Sequence, residues 1–188
     1  MGPKDPLIAS VQFTIGTVKI EMQQQVEAAD HFTKALELFK SNRSTDEGGN
    51  RASILSTEGM LFSVLGEANR AIDCFRQAVL VYQNARHSMN LKFATVMFEL
   101  GSLLSQMGKY DDSANCFYFS LEIRKSLLSD SFVVARTHYS LGVTLASQEL
   151  QSNTNTESAS HLEEALRICQ SEFDTDHVQS AVIVHALG

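Results

Sequence analysis

The sequence has almost no proline, since its only two prolines, Pro3 and Pro6, fall in the first six residues of a 188-residue chain. The rest of the chain therefore lacks the residue that most often ends helices, which favours long helices over a turn-rich β architecture. Long apolar runs are also missing, and none approaches the roughly 20 residues of a membrane-spanning helix. These absences predict an all-α protein without a membrane segment.

Positive charge is scarce as well. Fifteen lysine and arginine residues stand against 22 aspartates and glutamates, giving a formal net charge of −7 at pH 7. Nucleic-acid recognition needs a concentrated lysine and arginine surface, so we expect no nucleic-acid partner. The 3 cysteines are an odd number, which argues against a disulfide framework and fits a reducing compartment. No secretory signal is recognisable at the N-terminus. We therefore expect a cytoplasmic location.

An internal repeat is marked by glycines at intervals of a little over forty residues: Gly16, Gly59, Gly101, Gly142 and Gly188. The first three glycines are each followed, at constant spacing, by a small, an aromatic and a second small residue: Ala28, Phe32 and Ala35, then Ala71, Phe75 and Ala78, then Ser113, Phe117 and Ser120. In the fourth unit Ser158, Leu162 and Ala165 take these places, displaced by an insertion in the polar tract 149–155. The repeat predicts four copies of one helical unit.

Apolar residues recur at spacings of three and four within each unit, as in amphipathic helices. We predict helix pairs over 6–22 and 25–40, 50–65 and 67–85, 91–107 and 110–128, and 131–148 and 157–172, with a ninth helix beginning near residue 176. Gly66 and Gly108 are expected to end first helices in a positive-φ turn, and the stretches 41–50 and 149–158 to be loops. We expect a tail over 1–6 and one array over 7–188, with repeats at about 7–48, 49–90, 91–130 and 131–175 and a partial repeat at 176–188.

The pattern resembles the tetratricopeptide repeat (TPR), a helix–turn–helix unit with Leu-Gly, a later Gly-x-Tyr and then small, aromatic and small residues. The third unit matches best, with Leu100-Gly101 and Gly108-Lys109-Tyr110. The long period and the segments 120–124 (SLEIR) and 165–168 (ALRI) are similar to the kinesin-light-chain-like branch. In the first unit, however, Gln23 and Gln25 replace the turn glycine and tyrosine. The resemblance implies a right-handed TPR-type α-solenoid of about four repeats plus the start of a fifth.

Residue types that bind metals occur at one equivalent position of each second helix: His31, Cys74, Cys116 and His161. Equivalent positions in successive units are at least one helix-packing distance apart, about 8–10 Å. Ligands of a single zinc ion bond to it at roughly 2.0–2.3 Å and therefore lie much closer together. We predict no metal site and no cofactor. The adjacent Asp111 and Asp112 suit a helix start better than an acid–base pair, and no nucleophile–base pair has local sequence support, so no enzyme is predicted.

The resemblance implies that the first helices line a concave groove. Counting from the repeat glycines, the residues expected to bind a peptide there are Phe13, Ser56, Met60, Phe98, Ser102, Arg136 and Tyr139. Aromatic residues with a serine fringe and one cation suit a peptide anchored by apolar side chains. They lack the lysine, arginine and asparagine set with which related domains clamp a terminal carboxylate. The alternative is that some of these aromatics pack between neighbouring first helices and contact no ligand.

Three functions are compatible with the sequence. The first is a non-enzymatic scaffold that binds a peptide segment of a partner protein in the groove. In the second, the chain is a fragment that forms the regulatory or targeting portion of a larger multidomain enzyme or signalling protein. In the third, copies self-associate through the C-terminal helix, which is apolar almost all round at Val182–Val184 and Ala186–Leu187.

Overall fold

The computed structural model describes residues 6–41, 47–84, 90–152 and 157–172. Within those ranges the chain is entirely helical apart from short turns, and it contains eight helices: α1 (Pro6–Glu21), α2 (Gln25–Ser41), α3 (Glu47–Val64), α4 (Ala68–Asn84), α5 (Leu91–Gln106), α6 (Tyr110–Leu127), α7 (Phe132–Ser152) and α8 (Ser158–Glu172). The all-α fold class and the four helix pairs are confirmed, and most of the predicted ends are close to the observed ones. None of the described helices is both long and apolar enough to cross a bilayer.

The helices form two compact units. In the N-terminal unit (Met1–Ser88), α1 packs against α2, α2 against α3, and α3 against α4. In the C-terminal unit (Met89–Gly188), α5 packs against α6, α6 against α7 and α7 against α8, while α5 also contacts α7. The predicted repeat bounds over 7–188 remain a prediction.

The two helices of a pair are joined by the same turn in the first three pairs. Its central residue has a positive φ, which is 78° at Gly66 and 72° at Gly108, as predicted. The N–H of Gly66 donates to the carbonyl of Ser63 at 3.1 Å, and the N–H of Glu67 donates to that of Phe62 at 2.9 Å. This double hydrogen bond is the Schellman ending of a helix, for which glycine is the usual residue. The first pair makes the same turn with Gln23, whose φ is 58°.

The repeated small, aromatic and small residues form the contact between the helices of each pair. Phe32, Phe75 and Phe117 are at most 1% exposed. The small residues of the pattern, four before and three after each ring, are fully buried. The repeat glycines are needed because these rings lie so close: a Cβ added at Gly59 would stand 2.5 Å from the ring of Phe75. No real Cβ occupies such a position, so the first helix approaches the second more closely than any other residue would allow.

Two predicted loops are partly wrong. α2 continues to Ser41 and α3 begins at Glu47, so only residues 42–46, which lie outside the described residues, are left between them. A polar stretch does not exclude a helix start, since first turns are themselves usually polar.

α7 runs past the predicted end at residue 148 to Ser152. The position at which glycine ends two other first helices is occupied here by Glu149, so nothing stops the helix. Two contacts hold the additional turn: Gln148 donates to Asp111, and Ser158 Oγ donates to Glu149 Oε2 at 3.0 Å. The ninth helix predicted near residue 176 and the partial fifth repeat lie outside the described residues.

Candidate functional site

In the C-terminal unit, α5 and α7 are the first helices of their pairs and contact each other directly. Ser105 Oγ and Thr144 Oγ1 are 3.2 Å apart across this contact. Beside it, each helix has three partly exposed residues at identical offsets from its repeat glycine: Thr95, Glu99 and Ser102 on α5, and Arg136, Ser140 and Val143 on α7. We call these six residues the first-helix surface. Residues spaced by four and then three form one stripe of a helix, so the two stripes lie side by side.

The charges of this surface are paired. Arg136 Nη2 lies 3.9 Å from Glu99 Oε1, and the two side chains are 26% and 21% exposed. The guanidinium carbon of Arg136 also lies 4.4 Å from the centroid of the Phe98 ring, a cation–π distance that helps to hold the side chain in place. The surface therefore offers balanced charge, hydroxyl groups and one apolar residue, Val143. Such a surface suits a peptide backbone with mixed side chains better than a strongly charged ligand.

Phe98 lies beneath the first-helix surface rather than on it. It is 6% exposed and packs against Phe117, with ring centroids 5.3 Å apart. The guanidinium carbon of Arg124 lies 4.7 Å from the centroid of the same ring. Arg124 is itself 2% exposed and donates to Thr137 Oγ1 at 2.5 Å. Phe98 is thus a core residue that contacts two arginines and the aromatic residue of its own repeat.

The remaining predicted site residues divide in the same way. In the C-terminal unit, Ser102 and Arg136 lie on the first-helix surface, whereas Tyr139 packs partly buried against the core. In the N-terminal unit, Phe13 is half-buried against Phe32, with ring centroids 5.6 Å apart. Ser56 and Met60 are buried, at 4% and 1% exposed, so a ligand could not contact them directly. The peptide-binding role of this residue set stays a prediction.

Four residues of the first-helix surface, Thr95, Glu99, Ser140 and Val143, were not among the predicted site residues, and Glu99 and Ser140 form its middle. A signal for them existed in the sequence. Glu99 and Ser140 each lie two residues before a repeat glycine. Glu99 is therefore four residues after Thr95 and three before Ser102, and Ser140 is four residues after Arg136 and three before Val143. That spacing places them in the middle of the same helical stripe.

The column of histidine and cysteine residues connects the two helices of a pair. His31 Nδ1 in α2 lies 2.7 Å from Gln12 Oε1 in α1, and His161 Nδ1 in α8 lies 2.9 Å from His138 Nδ1 in α7. Gln12 and His138 are each four residues before a repeat glycine, so the two bonds are equivalent. The three cysteines are free thiols. Across the described part of the chain, no three histidine, cysteine or acidic side chains are grouped so as to hold a metal ion.

Known proteins with this fold carry TPR-type repeats. The chain is 24% identical over 137 residues to a TPR repeat-containing protein of Dictyostelium discoideum, and it spans 72% of its own length and 8% of that relative's. It superposes on BtubC (BKLC) from P. vanneervenii with a TM-score of 0.73 and 18% identity, covering 97% of this chain and 72% of that one. No protein-family model matches the chain.

Two further solved structures show the same likeness. TPR-like repeats attributed to a kinesin light chain of Podosopora anserina give a TM-score of 0.67 at 14% identity, covering 97% of this chain and 84% of that one. The Rap conjugation gene regulator of plasmid pLS20, solved in complex with the Phr* peptide, gives 0.61 at 16% identity, covering 94% and 46%. The chain therefore has a TPR-type fold, and the resemblance predicted from its sequence, including that to kinesin-light-chain-like repeats, is confirmed.

Proposed function

We propose that this chain is a non-enzymatic scaffold that binds a peptide segment of a partner protein along its first helices. The observation that carries the proposal is the first-helix surface, where α5 and α7 present matched stripes of partly exposed hydroxyl, charged and apolar residues. One protein of similar fold was solved with a peptide bound, which supports a peptide as the ligand class here. The free thiols suit a cytoplasmic setting, and the acidic composition suits a protein partner rather than a nucleic acid.

The geometry favours an extended segment lying across the two stripes. Ser102 and Ser140 have short side chains, so a peptide backbone can approach the helices there. The Arg136–Glu99 pair supplies a donor and an acceptor for polar side chains of the peptide. Val143, 36% exposed, offers an apolar contact on the same surface. No residue of this surface needs to perform chemistry in such binding.

The test is a display screen of random 16-residue peptides against three forms of the chain. The double variant Ser102→Arg/Ser140→Arg fills the first-helix surface with bulk and charge. The matched control, Asn115→Arg/Ser160→Arg, adds the same charge at exposed positions of the second helices α6 and α8. We expect enriched peptides to bind the native chain and the control but to lose at least about tenfold in affinity for the first variant, or about 1.4 kcal/mol. Equal binding to both variants, or no enrichment on the native chain, would refute the proposal.

An alternative is that the chain is the regulatory or targeting portion of a larger enzyme or signalling protein. The relevant observation is that the Dictyostelium relative is far longer, because the matched region is 8% of its length. Sequencing the full-length transcript distinguishes the two functions: a reading frame that continues into a catalytic domain favours the alternative, and one that does not removes it.

A further inference from the structure

The contact between α7 and α8 contains two facing imidazoles. Nδ1 of His138 lies 2.9 Å from Nδ1 of His161, and the ring centroids are 5.1 Å apart. His138 is 4% exposed, and the side chain of His161 is 14% exposed. Two nitrogens at this distance share one hydrogen, so one ring must donate and the other must accept. An added proton must therefore go to an Nε2 atom, since the contact is lost when both Nδ1 atoms carry hydrogen.

The surroundings indicate which ring donates. No protein group in the described residues makes a hydrogen bond to Nε2 of His138, which is buried. A buried N–H without an acceptor is costly, so Nε2 of His138 is left bare and its hydrogen is on Nδ1. His161 then accepts at Nδ1 and carries its hydrogen on Nε2, which lies 3.9 Å from Glu157 Oε2. Protonating His161 at Nδ1 would force His138 to move its hydrogen to the unpartnered Nε2.

The neighbouring charges do not compensate for a second proton. The charged residues that face the two rings are Lys125 on α6, Asp130 between α6 and α7, Glu157 directly before α8, and Glu164 within α8. Asp130 and Glu164 are already engaged by Arg167, whose Nη2 lies 2.6 Å from Asp130 Oδ2 and 2.8 Å from Glu164 Oε1. Tyr118 packs on the His161 ring at 5.7 Å and donates to Glu157 at 3.3 Å, and on α5 Glu99 faces Arg136.

We propose that the His138–His161 contact is an acid-sensitive junction. One added proton puts an N–H without an acceptor at the buried Nε2 of His138, a second places hydrogen on both Nδ1 atoms and breaks their hydrogen bond, and each loosens α8 from α7. α8 contributes Ala165, Ile168 and Cys169 to the core of the C-terminal unit, so its release exposes apolar surface. Mild acid thus changes the state of one helix pair. At the equivalent place in the N-terminal unit, Gln12 pairs with His31, and its amide oxygen only accepts, so that contact does not need two rings to share one hydrogen.

The expected size follows from titration. Burial, followed by the charges of His161 and Lys125, lowers the pKa of His138 from 6.5 to about 4, and burial also lowers the pKa of His161. Because the folded pKa is depressed, the neutral pair contributes stability that is complete above about pH 6.5 and is lost as the pH falls towards 4. For His138 alone, the opening equilibrium of α8 should rise about 20-fold between pH 7 and pH 5. His161 adds to this change in the same direction.

The test is amide hydrogen exchange of the full chain at pH 7 and pH 5, corrected for the intrinsic pH dependence. The native chain should lose at least about 20-fold protection in α8. His138→Gln, which copies the Gln12–His31 bond into the C-terminal unit, should lose clearly less protection than the native chain, because only His161 still titrates there. The reciprocal Gln12→His should give α2 the acid lability that it lacks. A native chain without the loss, or a His138→Gln chain with the same loss, would overturn the proposal.

A second measurement does not depend on any variant folding. Nitrogen NMR of the native chain reports the tautomer and the titration of each ring. His138 should be neutral and Nδ1-protonated at pH 5.5. A His138 that titrates near pH 6.5 while α8 stays protected would overturn the proposal as well.

Discussion

Replacing Gln23 by glycine should stabilise the protein. Gln23 is the only residue other than glycine with a positive φ in the described part of the chain, at 58°. Its N–H donates to the Ile20 carbonyl at 2.9 Å, and the N–H of Gln24 donates to the Lys19 carbonyl at 2.9 Å, so the turn is the same Schellman ending that glycine makes in the next two pairs. The side chain of Gln23 is exposed, so its removal costs no core packing.

The magnitude is set by two opposing terms. A side chain in the left-handed region costs roughly 1–2 kcal/mol. Glycine loses more conformational freedom on folding, which returns roughly 0.5–1 kcal/mol of that gain. The net stabilisation of Gln23→Gly should be about 0.5–1 kcal/mol. For a chain of this size, each kcal/mol raises the melting temperature by about 2–4 °C.

The assay is urea unfolding at pH 7.5, monitored by circular dichroism. Two matched reverse variants are measured beside Gln23→Gly. Gly66→Gln and Gly108→Gln put glutamine into the equivalent turns, where an added Cβ would meet nothing within 4 Å. Each should therefore lose about what Gln23→Gly gains, because only the backbone term changes. A neutral or destabilising Gln23→Gly beside costly reverse variants would show that the first turn is not strained, and the reasoning would fail.

Two further predictions concern the contacts within helix pairs. Gly59→Ala should cost about 1–3 kcal/mol in the free energy of urea unfolding, because its Cβ would stand 2.5 Å from the Phe75 ring. Gly101→Ala should cost less, because its Cβ would stand 3.1 Å from its nearest neighbour. Equal losses would contradict this steric explanation. Ser120→Ala removes the 2.7 Å hydrogen bond from Ser120 Oγ to the buried Ala94 carbonyl and should cost about 1 kcal/mol by the same measurement, and a stabilised variant would show that the bond contributes nothing.

The fold could be predicted from the sequence because the same pattern of glycine, small and aromatic residues recurs in successive repeats. Small, aromatic and small residues at fixed spacing allow only one close helix contact, and Gly66 and Gly108 mark the turns. The prediction failed where a marker was missing: with Glu149 at the place of the turn glycine, α7 continued to Ser152. The His138–His161 hydrogen bond was not predicted either. The column of metal-ligand residue types compares residues of different units, whereas the partner of His161 lies on the other helix of its own pair.

The candidate site was predicted less well, for a geometric reason that the sequence already contained. A residue three before the repeat glycine lies on the same stripe of the helix as that glycine. The glycine is pressed against the second helix, so its stripe is buried, and Phe98 is accordingly 6% exposed. Phe98 at that offset fills the contact within the repeat, and the neighbouring, more polar stripe is the one proposed to bind a peptide.

The first helices therefore differ in how exposed this stripe is, although the repeats are equivalent as folding units. On α1 the three stripe positions, Ser10, Thr14 and Thr17, are all at least partly exposed, as they are on α5 and α7. On α3 the last two of these positions are Thr57 and Met60, which are 0% and 1% exposed. Within the C-terminal unit, the proposed peptide can contact stripe positions on both α5 and α7. Substitutions at Thr57 or Met60 should change stability more than affinity, because those side chains contact the interior and not the ligand.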